Sequence, residues 1–293
     1  MRTETEERVW LCRDRRIPLG RTLVMGIVNV TPDSFSDGGL WFDAGRAVAR
    51  GLELAAEGAD LLDVGGESTR PGAAEVDEAE ELRRVLPVVR SLAGACGVPL
   101  SVDTRHAAVA RAAVAEGACI VNDVMPFAGD AAMAEAVRET GAGVVAMHMR
   151  GTPQTMARDT AYADVVAEVE TALRAALAYA EAQGIARERV VIDPGIGFAK
   201  DTAQNVALLA ATARLARVAP LLVGASRKRF IGELCAEPSA AERVGGSVGA
   251  AVWCALQGAS VVRVHDVKAT RQALTVVRRI ADHSAQKAFS GGS

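Results

Sequence analysis

Short apolar runs alternate with longer amphipathic stretches through most of the chain. Buried parallel strands are apolar on both faces, so such runs are typical of them. Eight runs meet this description: residues 23–30, 61–64, 100–102, 120–124, 144–147, 190–192, 221–223 and 261–264. Helical patterns lie near residues 43–57, 77–93, 106–116, 130–140, 162–183, 201–213, 239–257 and 268–282.

The strict alternation of strand and helix predicts an α/β fold, a closed (β/α)8 TIM barrel with helices outside. A doubly wound open sheet is the alternative, but its Gly-rich turns would gather at one crossover, and here they are spread along the chain. Residues 1–20 are predicted to be an N-terminal extension that could form a hairpin and plug the barrel bottom. Residues 21–284 would form the single barrel, and residues 285–293 a flexible tail.

Composition narrows the classes of protein. The chain has 293 residues, half of them hydrophobic and only 4% aromatic, which favours helices packed closely on a parallel sheet. A net charge of -3 gives no support for a nucleic-acid partner. No apolar run reaches the roughly 20 residues of a membrane span, and the charged start does not resemble a signal peptide. The five scattered cysteines suggest reduced thiols, so we expect a cytoplasmic protein.

Every predicted strand ends in polar or charged residues. In chain order they are Asn29, Asp63 with Glu67, Asp103, Asn122, His148, Asp193, Ser226 with Lys228, and Arg263 with His265 and Asp266. Barrel enzymes take their catalytic groups from several strands at this face, so the pattern indicates an enzyme. Asp193 by itself could equally be a turn former or helix cap.

These strand-end groups divide by chemistry. Asp103, Asn122 and Asp193 offer carboxylate and amide edges that suit a flat heterocycle with paired N–H donors. Lys228, Arg263 and His265 belong to the seventh and eighth units, where barrels commonly bind phosphate. Asn29 could hold a magnesium ion together with the ligand's phosphates.

Two distinctive loops follow the first and second strands. Residues 31–39 contain Asp33 and Phe35, and residues 65–72 contain Arg70. Both loops are rich in Gly, Pro, Ser and Asp, so we expect mobile loops that close over a ligand. Asp63 and Glu67 could form an acid–base pair, but the intervening turn can place them on different sides.

Eight motifs in order resemble dihydropteroate synthase, from about residue 22 to 282. They lie at residues 25–39, 63–72, 101–104, 122–124, 147–153, 193–198, 226–228 and 263–267. The resemblance implies a folate-synthesis enzyme that joins p-aminobenzoate to a dihydropterin carrying a CH2–diphosphate. It also implies Mg2+ as cofactor and a homodimer paired through late helices.

The resemblance further implies a role for each matching residue. Catalytic roles fall to Lys228, Asp103, Asp193, Arg70, Asp33 and Phe35. The pterin pocket would comprise Asp103, Asn122, Asp193, Met147, Gly224 and Lys228. Diphosphate would bind Arg70, Arg263, His265 and Asn29, with Asn29 as the metal ligand. The p-aminobenzoate pocket would comprise Thr69, Pro71, Phe198, Lys228 and Arg229.

The chain departs from the family pattern at two places. Met125, Pro126 and Phe127 stand where small residues are usual, which leaves the shape of that loop open. Arg229 stands where many members have Ser, although its backbone N–H can still bind a carboxylate. Two alternatives remain: a corrinoid-dependent methyl-transfer barrel that also binds pterin, and a non-catalytic paralogue.

Overall fold

The computed structural model describes residues 8–30, 44–68, 75–125, 127, 129–152, 155–156 and 159–290, with side chains of the last helix described to residue 284. Within these ranges the predicted barrel is confirmed. Its strands are β3 (Leu23–Asn29), β4 (Leu61–Gly65), β5 (Leu100–Asp103), β6 (Ile120–Asp123), β7 (Gly143–Met147), β8 (Val190–Asp193), β9 (Leu222–Val223) and β10 (Val261–Val264). β1 (Val9–Cys12) and β2 (Arg15–Pro18) form a separate antiparallel pair.

The eight strands are parallel neighbours in chain order, with β3 also paired to β10. A bridge between Ile192 of β8 and Leu221, the residue before β9, closes the ring, which excludes the open doubly wound sheet. All the strand ends therefore meet at one mouth.

Helices cover the outside of the ring: α1 (Ala44–Ala56), α2 (Glu78–Ala95), α3 (Ala107–Ala115), α4 (Met133–Thr140), α5 (Val165–Ala182), α6 (Thr202–Ala210), α7 (Thr212–Leu215), α8 (Arg229–Cys235), α9 (Val244–Leu256) and α10 (Val267–Ser290). Two predictions were wrong in detail. The stretch 239–257 starts its helix only at Val244, and α8, which begins at Arg229, was not among the predicted helices. α10 extends beyond residue 282 to Ser290, so residues 285–290, predicted as part of the tail, belong to this helix.

Side chains alternate between the barrel interior and the helices, as the pleat requires. The lower interior is apolar and includes Met25, Leu61, Ile120, Val145, Val191, Leu222 and Val261. Two residues further along their strands, Asp63, Asn122 and Arg263 face the same interior and hydrogen-bond to one another there. The barrel therefore has an apolar base below a polar mouth.

The predicted hairpin forms and closes the amino-terminal end of the barrel. The indole N–H of Trp10 donates to the carbonyl oxygen of Arg189 at 2.8 Å. The backbone N–H of Arg13 donates to the carbonyl oxygen of Gly141 at 2.7 Å. Gly143 must lack a side chain here, because a Cβ would lie 2.5 Å from the Cys12 sulfur. All five cysteines are free thiols, and no helix in the described part of the chain is long and apolar enough to cross a membrane.

Candidate active site

A network of four side chains occupies the polar mouth; we call Asp63, Asp103, Asn122 and Arg263 the carboxylate network. Arg263 Nε donates to Asp63 Oδ2 at 2.6 Å, and Arg263 Nη2 donates to Asp103 Oδ2 at 2.7 Å. Asn122 Nδ2 donates to the same Asp63 oxygen at 3.0 Å. The amide oxygen of Asn122 and the outer edge of Asp103 remain to receive donors from a ligand.

Burial controls the electrostatics of this network. The Asp103 side chain is 9% exposed, and desolvation raises its pKa to about 7 although the Arg263 charge opposes the rise. Burial also opposes the charge on Arg263, yet Asp63 and Asp103 outweigh it and raise the Arg263 pKa. Asp103 is thus a poorly solvated carboxylate that gains from each N–H brought to it.

Asp193 ends β8 and begins a tight turn that carries Phe198. Its Oδ1 accepts from the backbone N–H of Gly195 at 2.7 Å, and burial raises the pKa of the carboxyl group while the Lys228 charge lowers it. Asp193 is therefore both a turn former and a charged group of the mouth, so the two interpretations of this residue are compatible.

Lys228 connects this turn to the seventh unit. Its ammonium donates to the carbonyl oxygen of Ile196 and lies 4.4 Å from the centre of the Phe198 ring. Burial lowers the Lys228 pKa to about 8, and Asp193 partly opposes this. A lysine that is both desolvated and close to a carboxylate and an aromatic ring is a functional-site candidate. Phe198 itself packs with Met147 and Met156.

Cationic and polar groups from the eighth unit lie beside the network. The backbone N–H of His265 donates to Ser226 Oγ at 3.2 Å, and its Nδ1 lies 3.0 Å from the same oxygen, which orients the ring. The two ion pairs of Arg263 use Nε and Nη2, so Nη1 can donate to an anion. This side of the mouth can accept a phosphate group.

A hard cation would find one amide ligand here. Asn29 ends β3 and is half-buried beside Gly65 of β4. Among the described residues no group of three or more His, Cys, Asp or Glu side chains could hold a metal ion. An amide oxygen from Asn29 suits Mg2+ that is bound mainly by ligand phosphates and water.

The remaining predicted site residues have different outcomes. Gly224 is buried at the end of β9, where a Cβ would approach the Arg263 side chain at 3.7 Å, so it lies beside the network. The Arg229 side chain is 84% exposed and pairs with Glu233, which leaves only its backbone N–H near Lys228. Asp33, Phe35, Thr69, Arg70 and Pro71 lie outside the described residues.

Sequence reasoning considered Asp63 only as half of a doubtful acid–base pair, whereas the structure places it at the centre of the network. The available signal was an aspartate at a position where a strand should be apolar. Glu67, its suggested acid–base partner, instead accepts from Arg105 Nε at 3.0 Å and from the Val76 backbone. The two carboxylates therefore face different partners, as expected. Lys200 and His148, discussed below, also received no role.

The unusual loop after β6 keeps Asn122 in position. Buried Asp123 accepts the backbone N–H groups of Met125 and Phe127, each at 2.8 Å. The Phe127 ring packs 5.5 Å from the ring of Tyr179 on α5, outside the mouth. Phe127 thus fills space against a helix, whereas Met125 packs against the cluster that contains Met147 and Phe198. Pro126 lies outside the described residues.

Comparisons with known proteins agree with this geometry. Residues 25–265 match the family described as pterin binding enzyme. A dihydropteroate synthase of Neisseria meningitidis serogroup B is 47% identical over 92% of this chain and 96% of its own. The structure of a Xanthomonas albilineans dihydropteroate synthase with 4-aminobenzoic acid is 50% identical, with a TM-score of 0.89 over 94% of this chain and 98% of its own. Another structure of that enzyme, in complex with 7,8-dihydropteroate, is 48% identical, with a TM-score of 0.85 over 93% and 98%. The chain therefore belongs to the pterin-binding enzymes, in the group that contains the dihydropteroate synthases.

Proposed function

We propose that this protein condenses p-aminobenzoate with (7,8-dihydropterin-6-yl)methyl diphosphate to give 7,8-dihydropteroate and pyrophosphate. The observation that carries the proposal is a pair of buried carboxylates, Asp103 and Asp193, set among the cations Arg263 and Lys228 at one barrel mouth. Each cation interacts electrostatically with both carboxylates. A ligand that is cationic at one end and anionic at the other matches this arrangement.

The pterin ring supplies the donors that the carboxylates lack. An N–H pair on its amidine-like edge can bind one carboxylate through two parallel hydrogen bonds. We assign this recognition to Asp103, Asp193 and Asn122. Because burial raises the pKa of both carboxyl groups, a ligand with positive character stabilises their charged forms.

The diphosphate leaves from a carbon attached to an electron-rich ring, which favours a dissociative path. The carboxylates then stabilise the developing ring cation, and Arg263 with His265 stabilises the departing anion. Fixed charges of this kind are usually the largest catalytic contribution. Asn29 would hold a magnesium ion, which supplies further positive charge to the diphosphate oxygens.

The arylamine would enter beside Phe198 and Lys228. Its neutral nitrogen is already a nucleophile, so no strong general base is required. Thr69, Pro71 and the Arg229 backbone N–H would complete this pocket, and the loops with Asp33, Phe35 and Arg70 would exclude water that competes for the cation.

The decisive experiment measures pyrophosphate release from the dihydropterin diphosphate with and without p-aminobenzoate and Mg2+. We expect stoichiometric 7,8-dihydropteroate when both are present, and a rate that falls with chelator and returns with added Mg2+. Complementation of a strain that lacks the synthase provides a cellular control. Methyl transfer from a methylated folate to a corrinoid, without condensation, would instead support the methyl-transfer alternative.

We also propose a homodimer in the cytoplasm. The last helices expose large apolar side chains, which favours a protein interface; they are Leu234, Trp253, Leu256, Val276 and Ile280. Five free thiols suit a reducing compartment. Light scattering should give twice the monomer mass, and Ile280→Glu should lower it, whereas a monomeric wild type would contradict the dimer.

A further inference from the structure

Lys200 is a buried lysine that the proposed chemistry does not use. Its side chain lies in the turn after β8, and the residue is only 8% exposed. Nζ lies 3.1 Å from His148 Nδ1, 3.1 Å from the Gly195 carbonyl oxygen and 2.8 Å from that of Phe198. An ammonium group has three N–H donors, so these acceptors match its capacity.

The protonation states of the pair are complementary. Burial, followed by the Lys200 charge, lowers the His148 pKa to about 3, so the imidazole is neutral and its Nδ1 can accept. Burial also lowers the Lys200 pKa to about 7, against the attraction of Asp193. When His148 carries its proton on Nε2, the ammonium form of Lys200 donates to all three acceptors.

The backbone of this turn requires such support. Gly195, Gly197 and Ala199 have φ values of 67°, 81° and 51°, in the left-handed region. That conformation is unfavourable for an L-residue such as Ala199. Asn205 Oδ1 accepts the Gly197 N–H at 2.7 Å, and Lys200 binds the carbonyls of Gly195 and Phe198. Side chains therefore hold a conformation that the backbone alone disfavours.

The held segment is the part of the turn that meets Lys228. The Ile196 carbonyl and the Phe198 ring both contact the Lys228 ammonium. Ile196 lies between Gly195 and Phe198, the two residues whose carbonyls bind Lys200. His148 adds a connection to the end of β7, since its backbone N–H donates to the Asp193 carbonyl at 2.9 Å. Loss of the Lys200 bonds would release the Phe198 side of the turn, whereas Asp103 and Asn122 are held by other strands.

We propose that Lys200 and His148 are positioning residues for the arylamine pocket: together they fix the turn that sets the Phe198 ring against Lys228. This inference rests on the proposed condensation and adds specificity to it. It assigns the pair to recognition of the second substrate, and it leaves recognition of the pterin edge to Asp103, Asn122 and Asp193.

The first test replaces Lys200 with Met, which has a side chain of similar length and lacks the three N–H donors of the ammonium group. Because bonds from charged donors are lost, we expect the KM for p-aminobenzoate to rise by roughly tenfold or more. The KM for the pterin diphosphate should change by less than about threefold. Lys268→Met, at an exposed lysine on α10, is the matched control and should leave both KM values unchanged.

The second test retains Lys200 and changes its acceptor. Asn at position 148 can present an amide oxygen near the place of Nδ1, and Leu cannot. We expect His148→Asn to keep most of the p-aminobenzoate affinity and His148→Leu to lose it. The double variant Lys200→Met/His148→Leu should regain thermal stability relative to His148→Leu, because no buried ammonium remains unpaired, yet should not regain affinity.

Calorimetric titration of p-aminobenzoate measures the pocket without turnover. A wild type that binds p-aminobenzoate but forms no dihydropteroate would refute the proposed reaction and leave the pair assigned to the pocket. An active wild type with unchanged p-aminobenzoate KM in Lys200→Met refutes the positioning role. If the KM values for p-aminobenzoate and for the pterin diphosphate rise equally in Lys200→Met, in step with a lower melting temperature, the role of Lys200 is merely structural. That result would also overturn the positioning role. If Lys200→Met does not fold, the contrast between the two His148 variants decides.

Discussion

Arg263→Met should destabilise the protein more than an ordinary single substitution. The guanidinium is bonded to Asp63 at 2.6 Å and to Asp103 at 2.7 Å, and these carboxylates are 0% and 9% exposed. Removing one partner of a buried ion pair costs about 3–5 kcal/mol, because the remaining charge is left unpaired. Asp63 has little compensation available, since its Oδ1 is buried without a hydrogen-bond partner among the described residues.

The cost should depend on pH. Burial holds the Asp103 pKa at about 7 with Arg263 present, and loss of that cation raises the pKa further. A raised folded-state pKa gives a stabilising contribution below the unfolded value, which is lost as pH rises through the folded value. We therefore expect the smaller loss near pH 5, where Asp103 can be protonated in both proteins, and a larger loss near pH 8, where the wild-type carboxyl group is charged.

Urea denaturation of wild type and variant at both pH values measures this, provided that the m-value is unchanged. The double variant Arg263→Met/Asp63→Asn should lose less free energy of unfolding than the two single variants lose together, by at least about 1 kcal/mol. Affinity for a bare pterin should fall too, because Asp103 loses the group that holds it. Additive variants, or a loss below about 1 kcal/mol near pH 8, would refute the reasoning.

Three further predictions follow from other contacts. Lys228→Met should lower kcat by roughly 100-fold or more with little change in melting temperature, since a preorganised charge is lost; near-normal turnover would contradict its role. Gly195→Ala should not accumulate as folded protein, because the added Cβ would lie 1.9 Å from the His148 carbonyl oxygen, whereas Gly94→Ala, with nothing within 4 Å, should fold normally in an expression test. Burial raises the Asp123 pKa to about 6. The stability that the protonated Asp123 contributes should therefore be lost as the pH rises from about 4 to about 6. Over that interval wild type should lose about 3 kcal/mol relative to Asp123→Asn in chemical denaturation, and parallel stability curves for the two proteins would exclude this.

The barrel was predictable because local and global patterns agree. Each strand is short, apolar and followed by polar groups, and only a parallel barrel brings all such ends together. Asp103, Asn122, Asp193 and Lys228 could be recognised as one site for that reason. β9 is reduced to Leu222–Val223 and still fell within its predicted run, because its position in the alternation is fixed by its neighbours.

The internal partners of the site were not predictable in the same way. Asp63 pairs with a residue 200 positions away, and Lys200 with one 52 positions away. Periodicity reports which face a side chain occupies, but it does not identify the atom that it meets. The helix at Arg229 was missed because its seven residues are too few to show a helical period, whereas burial of Phe230 and Ile231 stabilises α8 in the fold.

The hairpin that closes the barrel bottom has a consequence for the order of folding. Trp10 bonds to residue 189 and Arg13 to residue 114, so its anchors lie up to 179 positions later in the chain. During synthesis the hairpin must wait, with its indole and Cys12 thiol uncovered, until β7 and the residues before β8 have been made. Contacts of such long range slow folding and expose apolar surface meanwhile. The hairpin that seals the finished barrel is therefore also a segment whose apolar side chains can associate with other chains before the barrel has formed.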